Sequence, residues 1–594
     1  MELCRRGAGE PAPDQPPVGW KLAIDGGCFV RWSSVRDFMI ADWSVQPDLN
    51  LVSRHGVERR LTPRVMDLLV YLAERPGEVI SSEQLLRDVW PDEYVGDHAL
   101  LSAVSALRKG LGDDPRRPRV IRTVPKRGYS LVAESTAGSG ALAVLPLENL
   151  TGDPDQSFLA HGMTEVLISE LGKIPALRVI SRHSAMAYAG SEQPLPEIAR
   201  GLGARWIVEG SVLSSGGRIR VTAQLSEAEA DVHRWGESYE SELGDVLRLQ
   251  RQMAQEIARA VAERVRRRST PPKAAEEVDP ETLVAYLRGR HHFWKLSPKH
   301  FEKALDYFRQ AIERSPSFTP AHAGIADAWG GFGYWGRVPA AEAAPRVAEA
   351  VRVAEADRSN AEAQVVAGAY HFYYERDWER AESALRRAIH IDPNLAHARI
   401  ILALYLFTTS RSEEALAEVE VARRLDPLNP GPMYIRGMWL GRCGQLEAAR
   451  AEGESILEIA PEFVPARALL ADLDWLEERP EAIAREQALW RELAPVSSVL
   501  GEAEQAEPRD RLLAAARTLA GLAEGDGGPY VQPMKVARLF THADDIDSAF
   551  EWLDRAIDRN DVMQFDHLRL SPGWLPIADE PRFSRLLGRL GIPA

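Results

Sequence analysis

A regular spacing of prolines in the C-terminal half constrains the fold more than any other feature. Pro393, Pro427 and Pro461 lie 34 residues apart, and each follows an apolar segment. Alanine pairs seven residues apart, such as Ala381 and Ala388, recur with the same step. Seven residues are two helical turns, so both alanines lie on one face and let a second helix approach closely. The repeat therefore predicts stacked helical hairpins that form an all-α solenoid.

This pattern resembles the tetratricopeptide repeat, and the resemblance covers residues 280–594. It implies a solenoid whose concave face binds a protein or peptide partner. One repeat departs from the pattern, because Arg358 stands 35 residues before Pro393, where the later repeats have proline. The segment from Trp574 to Phe583 is expected to cap the last repeat.

Charge is distributed unevenly along the chain. The 594 residues carry a net charge of −15, yet residues 98–130 contain eight basic and only two acidic residues. A basic segment on an acidic chain is typical of a small nucleic-acid-binding module attached to a body that avoids nucleic acid. Random variation of surface charge is the alternative, and charge alone does not separate the two.

The segment that contains these basic residues, 38–133, has the pattern of a small α+β domain. Residues 38–60 alternate weakly and predict short strands. Three helices are expected next, beginning at Thr62-Pro63, at Ser81 or Ser82, and at about Asp97. Residues 120–132 then predict a strand, a turn and a second strand. Three helices followed by a basic hairpin form a winged helix-turn-helix.

The same segment resembles the OmpR/PhoB-type DNA-binding domain. The motifs that carry the resemblance are Leu61-Thr62, Leu85-Leu-Arg-Asp-Val-Trp90, Val104-Ser-Ala-Leu-Arg-Lys-Gly-Leu-Gly-Asp-Asp114 and Ile121-Arg-Thr-Val-Pro-Lys-Arg-Gly-Tyr129. The resemblance implies that the third helix enters the major groove of double-stranded DNA and that the hairpin wing reaches the minor groove. It leaves open a homodimer on DNA.

The third helix has one apolar and one polar face. Its apolar stripe, which predicts the core side, consists of Leu100, Val104, Leu107 and Leu111. The candidate groove-facing residues on the opposite side are His98, Ser102, Ser105, Ala106 and Lys109. Arg108 lies on the flank, where it can reach phosphate or pair with an acid. A simply solvated face is the alternative to DNA contact.

Further candidate DNA contacts lie outside the third helix. Arg122, Lys126 and Arg127 belong to the hairpin, where cations suit phosphate neutralisation and a narrow minor groove. Trp90 is either a core residue or, by the resemblance, a donor from its indole N–H to phosphate. The resemblance also implies RNA polymerase as a partner of the loop Pro91-Asp-Glu-Tyr-Val-Gly96.

Residues 141–268 alternate between strand and helix patterns and predict an α/β domain. They resemble the TolB-like domain through three motifs, Val144-Leu-Pro-Leu147 with Asn149, Arg178-Val-Ile-Ser181, and Leu202-Gly-Ala-Arg-Trp-Ile-Val-Glu-Gly-Ser-Val212. The resemblance implies a fold and brings no catalytic residues with it.

The remaining features narrow the class of function. Residues 1–37 are expected to be a disordered extension and residues 134–140 a linker. No apolar run approaches the ~18 residues of a spanning helix, so no membrane contact is expected. Three cysteines favour a reducing, cytoplasmic setting. No phosphate-loop, metalloprotease or nucleophile-elbow motif is present, so neither enzymatic activity nor a cofactor or metal is expected.

The sequence therefore predicts a soluble one-component transcriptional regulator whose middle and repeat regions bind a signal or a protein partner. A repeat scaffold that is only tethered to DNA is the alternative from another class. An enzyme with a ligand site in the middle domain is the third.

Overall fold

A computed structural model provides the structure of the chain. It describes the residues 38–40, 43–47, 50–54, 57–73, 75, 79–90, 97–115, 118–124, 127–132, 141–153, 156–174, 177–215, 218–228, 231–242, 246–265, 278–293, 298–479, 481–490, 494–502, 507–524, 530–561 and 563–593. The expected disordered extension, 1–37, and the expected linker, 134–140, lie outside them.

Contacts divide the chain into two units. One comprises residues 1–140 with 261–268, and the other comprises residues 141–260 with 269–594. The middle domain and the helical repeats, which the sequence predicts as separate domains, thus belong to one compact unit.

The first unit begins with an antiparallel sheet in strand order β1-β2-β3-β4. Its strands are β1 (Phe38–Ile40), β2 (Trp43–Gln46), β3 (Leu51–Arg54) and β4 (Val57–Arg60). The three expected helices follow as α1 (Pro63–Ala73), α2 (Ser82–Val89) and α3 (Asp97–Leu111). An antiparallel hairpin of β5 (Ile121–Val124) and β6 (Gly128–Leu131) completes the winged helix.

Local sequence explains these elements. Ser81 caps α2, since its Oγ accepts a hydrogen bond from the backbone N–H of Gln84 at 3.1 Å. The predicted stripe of α3 is buried, with all four leucine and valine side chains at most 2% exposed. Gly128 has φ +128, and a Cβ there would lie 1.9 Å from the carbonyl oxygen of Ile80. Only glycine allows β6 to pass this close to the chain before α2.

The second unit starts with a six-stranded sheet. Its strands are β7 (Ala141–Val144), β8 (Glu148–Asn149), β9 (Arg178–Val179), β10 (Trp206–Ser215), β11 (Arg218–Glu227) and β12 (Val232–Glu242). Strand β7 pairs in parallel with β9 and β10, and β10, β11 and β12 form an antiparallel meander. The accompanying helices are α4 (Ser157–Gly172), α5 (Arg182–Met186), α6 (Leu195–Leu202) and α7 (Val246–Val265), of which α7 belongs to this unit up to residue 260. This is the expected mixed α/β fold.

Eight helical hairpins follow within the described residues. Their first helices are α8 (Pro280–Phe293), α10 (Thr319–Tyr334), α12 (Ala361–Tyr370), α14 (Ala396–Thr408), α16 (Pro430–Arg442), α18 (Val464–Leu476), α20 (Ala494–Glu502) and α22 (Pro533–His542). Their second helices are α9 (Pro298–Arg314), α11 (Ala340–Ala354), α13 (Trp378–Ile391), α15 (Ser412–Leu425), α17 (Leu446–Ile459), α19 (Glu481–Leu489), α21 (Pro508–Glu524) and α23 (Ile546–Asp558). A π-helical turn, His371–Glu375, extends α12. First helices of neighbouring hairpins from α8 to α18 contact one another and line the concave face.

The C-terminal segment does more than cap the last repeat. It contains α24 (His567–Leu570), a 3₁₀ turn (Pro572–Ile577) and α25 (Pro581–Arg589). Helix α25 packs on α23 as a cap does, but α24 contacts α14 and α16, and the 3₁₀ turn contacts α16, α18 and α22. The segment therefore folds back along the concave face.

Aromatic and polar contacts hold this segment in place. The Phe565 ring is 1% exposed and lies 5.2 Å from the ring of Phe372. The hydroxyl of Tyr373 donates to Oδ2 of the buried Asp566 at 3.2 Å. Burial raises the pKa of Asp566, because little solvent remains to stabilise its charge. Further along, Ser571 Oγ donates to Asp472 Oδ2 at 3.1 Å.

Two turns between repeats dock the middle domain. Asn394 accepts a hydrogen bond from the backbone N–H of Val179 at 3.0 Å and donates to the carbonyl oxygens of Gly172 and Leu177 at 2.8 and 3.1 Å. Asp426 Oδ1 accepts from the backbone N–H and the hydroxyl of Ser184, at 3.1 and 2.7 Å. These long-range bonds explain why the middle domain and the solenoid form one unit.

Candidate DNA-binding surface

Helix α3 presents its polar face to solvent. The predicted groove-facing residues His98, Ser102, Ser105, Ala106 and Lys109 are all exposed. None of their side chains forms a hydrogen bond or an ion pair within the described part of the chain. The arrangement offers two hydroxyl groups, one methyl group, an imidazole and an ammonium group, which suit hydrogen bonding to base edges and neutralisation of phosphate.

Arg108 connects α3 to the wing through side-chain hydrogen bonds. Its Nη2 donates to the carbonyl oxygen of Ile121 and to Oγ1 of Thr123, both at 2.9 Å. The guanidinium group thus joins α3 to the first strand of the wing and pairs with no described acid. These bonds hold α3 against the wing, and the phosphate contact that the sequence suggests for Arg108 stays a prediction.

Two positioning residues escape the sequence analysis. Asp113 is 8% exposed, and its carboxylate accepts backbone N–H bonds from Arg119, Val120 and Ile121 at 2.7–3.1 Å. Arg59 donates through Nη1 to two carbonyl oxygens at the end of α3, those of Lys109 and Gly110, each at 3.0 Å. A cation there also suits the negative end of the helix dipole. The sequence could have pointed to Asp113, since this acid lies in the motif Val104–Asp114 that carries the family resemblance, whereas Arg59 lies in none of these motifs.

The wing exposes two of its three predicted cations. Arg122 lies on β5 opposite Ser130, and Arg127 lies at the turn before β6; both are exposed. Neither arginine forms an ion pair with another described residue. Lys126 and the proposed polymerase-contacting loop, 91–96, lie outside the described residues.

Trp90 is a core residue at the end of α2. It is 5% exposed and belongs to the apolar cluster of the winged helix. Its backbone N–H donates to the carbonyl oxygen of Leu86 at 3.1 Å, which is the last i to i−4 hydrogen bond of the helix. The phosphate contact that the resemblance implies for its indole stays a prediction.

Comparison with known proteins bears on this surface directly. Residues 56–131 match the protein family described as "Transcriptional regulatory protein, C terminal". This segment is an OmpR/PhoB-type winged helix domain. Transcriptional activator CadC of Escherichia coli is 44% identical over 94 residues, which cover 16% of this chain and 18% of that protein.

Two further relatives are similar over longer segments. Putative adenylate cyclase 3 of Rhizobium meliloti is 32% identical over 189 residues, 31% of this chain and 32% of that protein. Transcriptional regulator HilA of Salmonella typhimurium is 22% identical over 407 residues, 66% of this chain and 71% of that protein. The chain thus spans less than a third of the length of CadC or of the cyclase. These comparisons do not specify a TolB-like fold for the middle domain.

None of the described helices combines the length and hydropathy that crossing a membrane requires. Among the same residues, no group of three or more histidine, cysteine, aspartate or glutamate side chains is arranged to hold a metal ion.

Proposed function

We propose that the protein is a sequence-specific DNA-binding regulator of transcription that acts by binding rather than by catalysis. The observation that carries the proposal is the exposed, unpaired polar face of α3 beside the exposed wing arginines, in a domain of the OmpR/PhoB type. The similarity to CadC and HilA, both named as transcription regulators, supports it.

In this proposal α3 lies in the major groove of double-stranded DNA. The hydroxyls of Ser102 and Ser105 read base edges, and the methyl group of Ala106 contacts thymine. Lys109 and the wing arginines neutralise phosphates, which makes affinity depend on salt concentration. His98, at the start of the helix, completes the contacting face.

The second unit would receive a signal or a protein partner. Its concave face is covered from α14 to α22 by the C-terminal segment, so a partner would bind elsewhere on the solenoid or on the middle domain. The proposal further includes contact between residues 91–96 and RNA polymerase, a homodimer on DNA and a location in the cytoplasm.

Titration of fluorescent operator DNA tests the proposal, after genome-wide mapping of bound DNA has supplied the operator. We expect the full chain and residues 38–133 to bind the operator more tightly than scrambled DNA, and residues 141–594 not to bind. Binding by residues 141–594 without residues 38–133 would reverse the assignment of roles. A reporter gene then separates regulator from tethered scaffold, since only a regulator changes transcription when it occupies the promoter.

A further inference from the structure

A cleft on the outer side of the solenoid lies between two second helices. It has a volume of about 530 Å³, a size common among small-molecule sites. Residues from α11, α12, α13 and the turn between α11 and α12 line it. Four arginines contribute to the lining, Arg352, Arg358, Arg380 and Arg387, against two glutamates, Glu355 and Glu379. The cleft is therefore cationic within a unit whose sequence is strongly acidic.

Three of these arginines have no carboxylate partner among the described residues. Arg380 is paired with Glu355 and Glu375, at 3.1 and 3.2 Å. Arg352, Arg358 and Arg387 form no such pair. The Nε of Arg387 is buried and has no hydrogen-bond partner within the described part of the chain. A buried N–H left without an acceptor is costly, so an acceptor from a ligand would be favourable here.

The floor of the cleft is held rigidly. Gln364 is 2% exposed, and its Nε2 donates to the carbonyl oxygens of Asp357 and Glu355, at 3.1 and 3.5 Å. His371, in the π-helical turn, contacts Glu355 through Nε2 at 3.2 Å. Burial raises the pKa of Glu355, but the hydrogen bonds and charges of its partners His371 and Arg380 outweigh burial and lower this pKa overall. Glu355 therefore stays ionised, and Arg380 beside it offsets its charge.

The repeat that lines the cleft departs from the regular repeat pattern in two ways. Arg358 occupies the position that is proline in the later repeats, so this repeat replaces a turn-forming residue with a cation on the rim of the cleft. The π-helical turn is also specific to this hairpin among the described residues, and such turns occur frequently at functional sites. Two departures from a regular repeat thus coincide at one cleft.

We propose that this cleft binds a small multivalent oxyanion, a molecule that carries phosphate or carboxylate groups. Guanidinium groups bind both kinds of group through paired N–H donors, and Ser383 and Gln364 lie beside them. The inference is independent of DNA binding, since it rests on residues of the second unit alone.

Isothermal titration calorimetry of the full chain tests it, with inorganic pyrophosphate and citrate as probes at low ionic strength. Saturable binding of one anion per chain is expected, and the tighter of the two probes identifies phosphate or carboxylate as the preferred group. Arg387→Gln and Arg358→Pro, which restores the residue of the later repeats, should each weaken binding at least tenfold. Circular dichroism melting confirms that each variant is folded.

Two controls make the result specific. Arg517→Gln removes an exposed arginine from α21, another second helix, and should leave the affinity unchanged. Glu379→Gln removes an acid from the lining and should tighten binding severalfold. Any anion binding by the wing persists in all these variants. Absence of saturable binding, an equal loss in Arg517→Gln, or weaker binding by Glu379→Gln would overturn the proposal.

Discussion

The predicted DNA-facing surface of the winged helix and the buried interior of the solenoid differ in how their polar groups are paired. Residues such as Ser105, Lys109 and Arg122 lie at the surface of the winged helix without a described partner. In the solenoid, buried groups such as Asp472 and Asp566 bind partners from distant repeats. Exposed groups without partners are available to a ligand, whereas buried and paired groups stabilise the fold. The contrast predicts that mutations in the two regions affect different measurements.

The largest expected effect tests the packing of the C-terminal segment along the concave face. Phe565→Ala should lower the free energy of unfolding of the second unit by about 3–5 kcal/mol, because it empties a site among buried aromatic rings. Urea denaturation of the full chain, followed by tryptophan fluorescence, measures this change. Operator affinity should remain as in the wild type.

The matched control is Trp335→Ala, which removes an aromatic side chain that is 47% exposed. Its effect should stay below about 1 kcal/mol. If both variants lose stability equally, the fold-back of the C-terminal segment is not what stabilises the solenoid.

The next prediction separates the middle domain from the repeats. Asn394→Ala removes three hydrogen bonds and leaves two carbonyl oxygens and one N–H without partners. At roughly 1 kcal/mol per bond, we expect a loss of about 3 kcal/mol in the interface. Limited proteolysis should release the middle domain sooner. Ser359→Ala, the corresponding position one repeat earlier, should change the cleavage rate little.

A third prediction concerns pH and a buried ion cluster. Burial raises the pKa of Asp472 and Glu486, but Arg538 and His542 outweigh it and leave both at about 2. Burial lowers the pKa of His542 and the charge of Arg538 lowers it further. The two carboxylates, 3.3 and 3.6 Å from the ring nitrogens, outweigh both effects and raise this pKa above its ordinary value. Stability from the carboxylates is therefore lost as pH falls from about 4 towards 2, and stability from His542 is lost as pH rises above its raised pKa.

Urea denaturation at a series of pH values measures both the expected loss of stability at acid pH and the expected loss at alkaline pH. The carboxylates should contribute on the order of 2 kcal/mol each at neutral pH. His542→Gln should flatten the decline on the alkaline side and leave the acid side in place. An unchanged alkaline slope in this variant would contradict the assignment.

The smallest expected change in free energy lies in the winged helix. Arg122→Ala with Arg127→Ala should weaken binding to all DNA sequences about tenfold and reduce the log–log salt slope by about 0.9 for each lost phosphate contact. Stability should change little, because both side chains are exposed. Fluorescence anisotropy measures the slope.

Arg60→Ala is the control, since Arg60 is exposed on the N-terminal sheet. An equal fall in affinity there would mean that overall charge, and not the wing, determines binding. If the double variant keeps the wild-type affinity and salt slope, the two wing arginines do not contact DNA.

The sequence predicts elements whose signals lie within a short stretch of chain, and it does not predict contacts between residues far apart in the chain. The α3 stripe, the Ser81 cap and the proline spacing are local signals, and each predicts an element that the structure contains. Phe565 and Phe372 are almost two hundred residues apart, and no periodicity connects them. The contact of Arg108 with the wing could not be predicted either, because a helical wheel places a side chain on a face but does not show which strand it contacts.

The fold-back of the C-terminal segment has a consequence for synthesis of the chain. Arg569 donates to the carbonyl oxygen of Thr408, which lies 161 residues earlier. While the ribosome makes those intervening residues, the inner sides of α14 and α16 remain uncovered on the nascent chain. Exposed apolar surface of this kind attracts chaperones and favours aggregation. Translation speed between these two points therefore determines how long the nascent protein depends on protection.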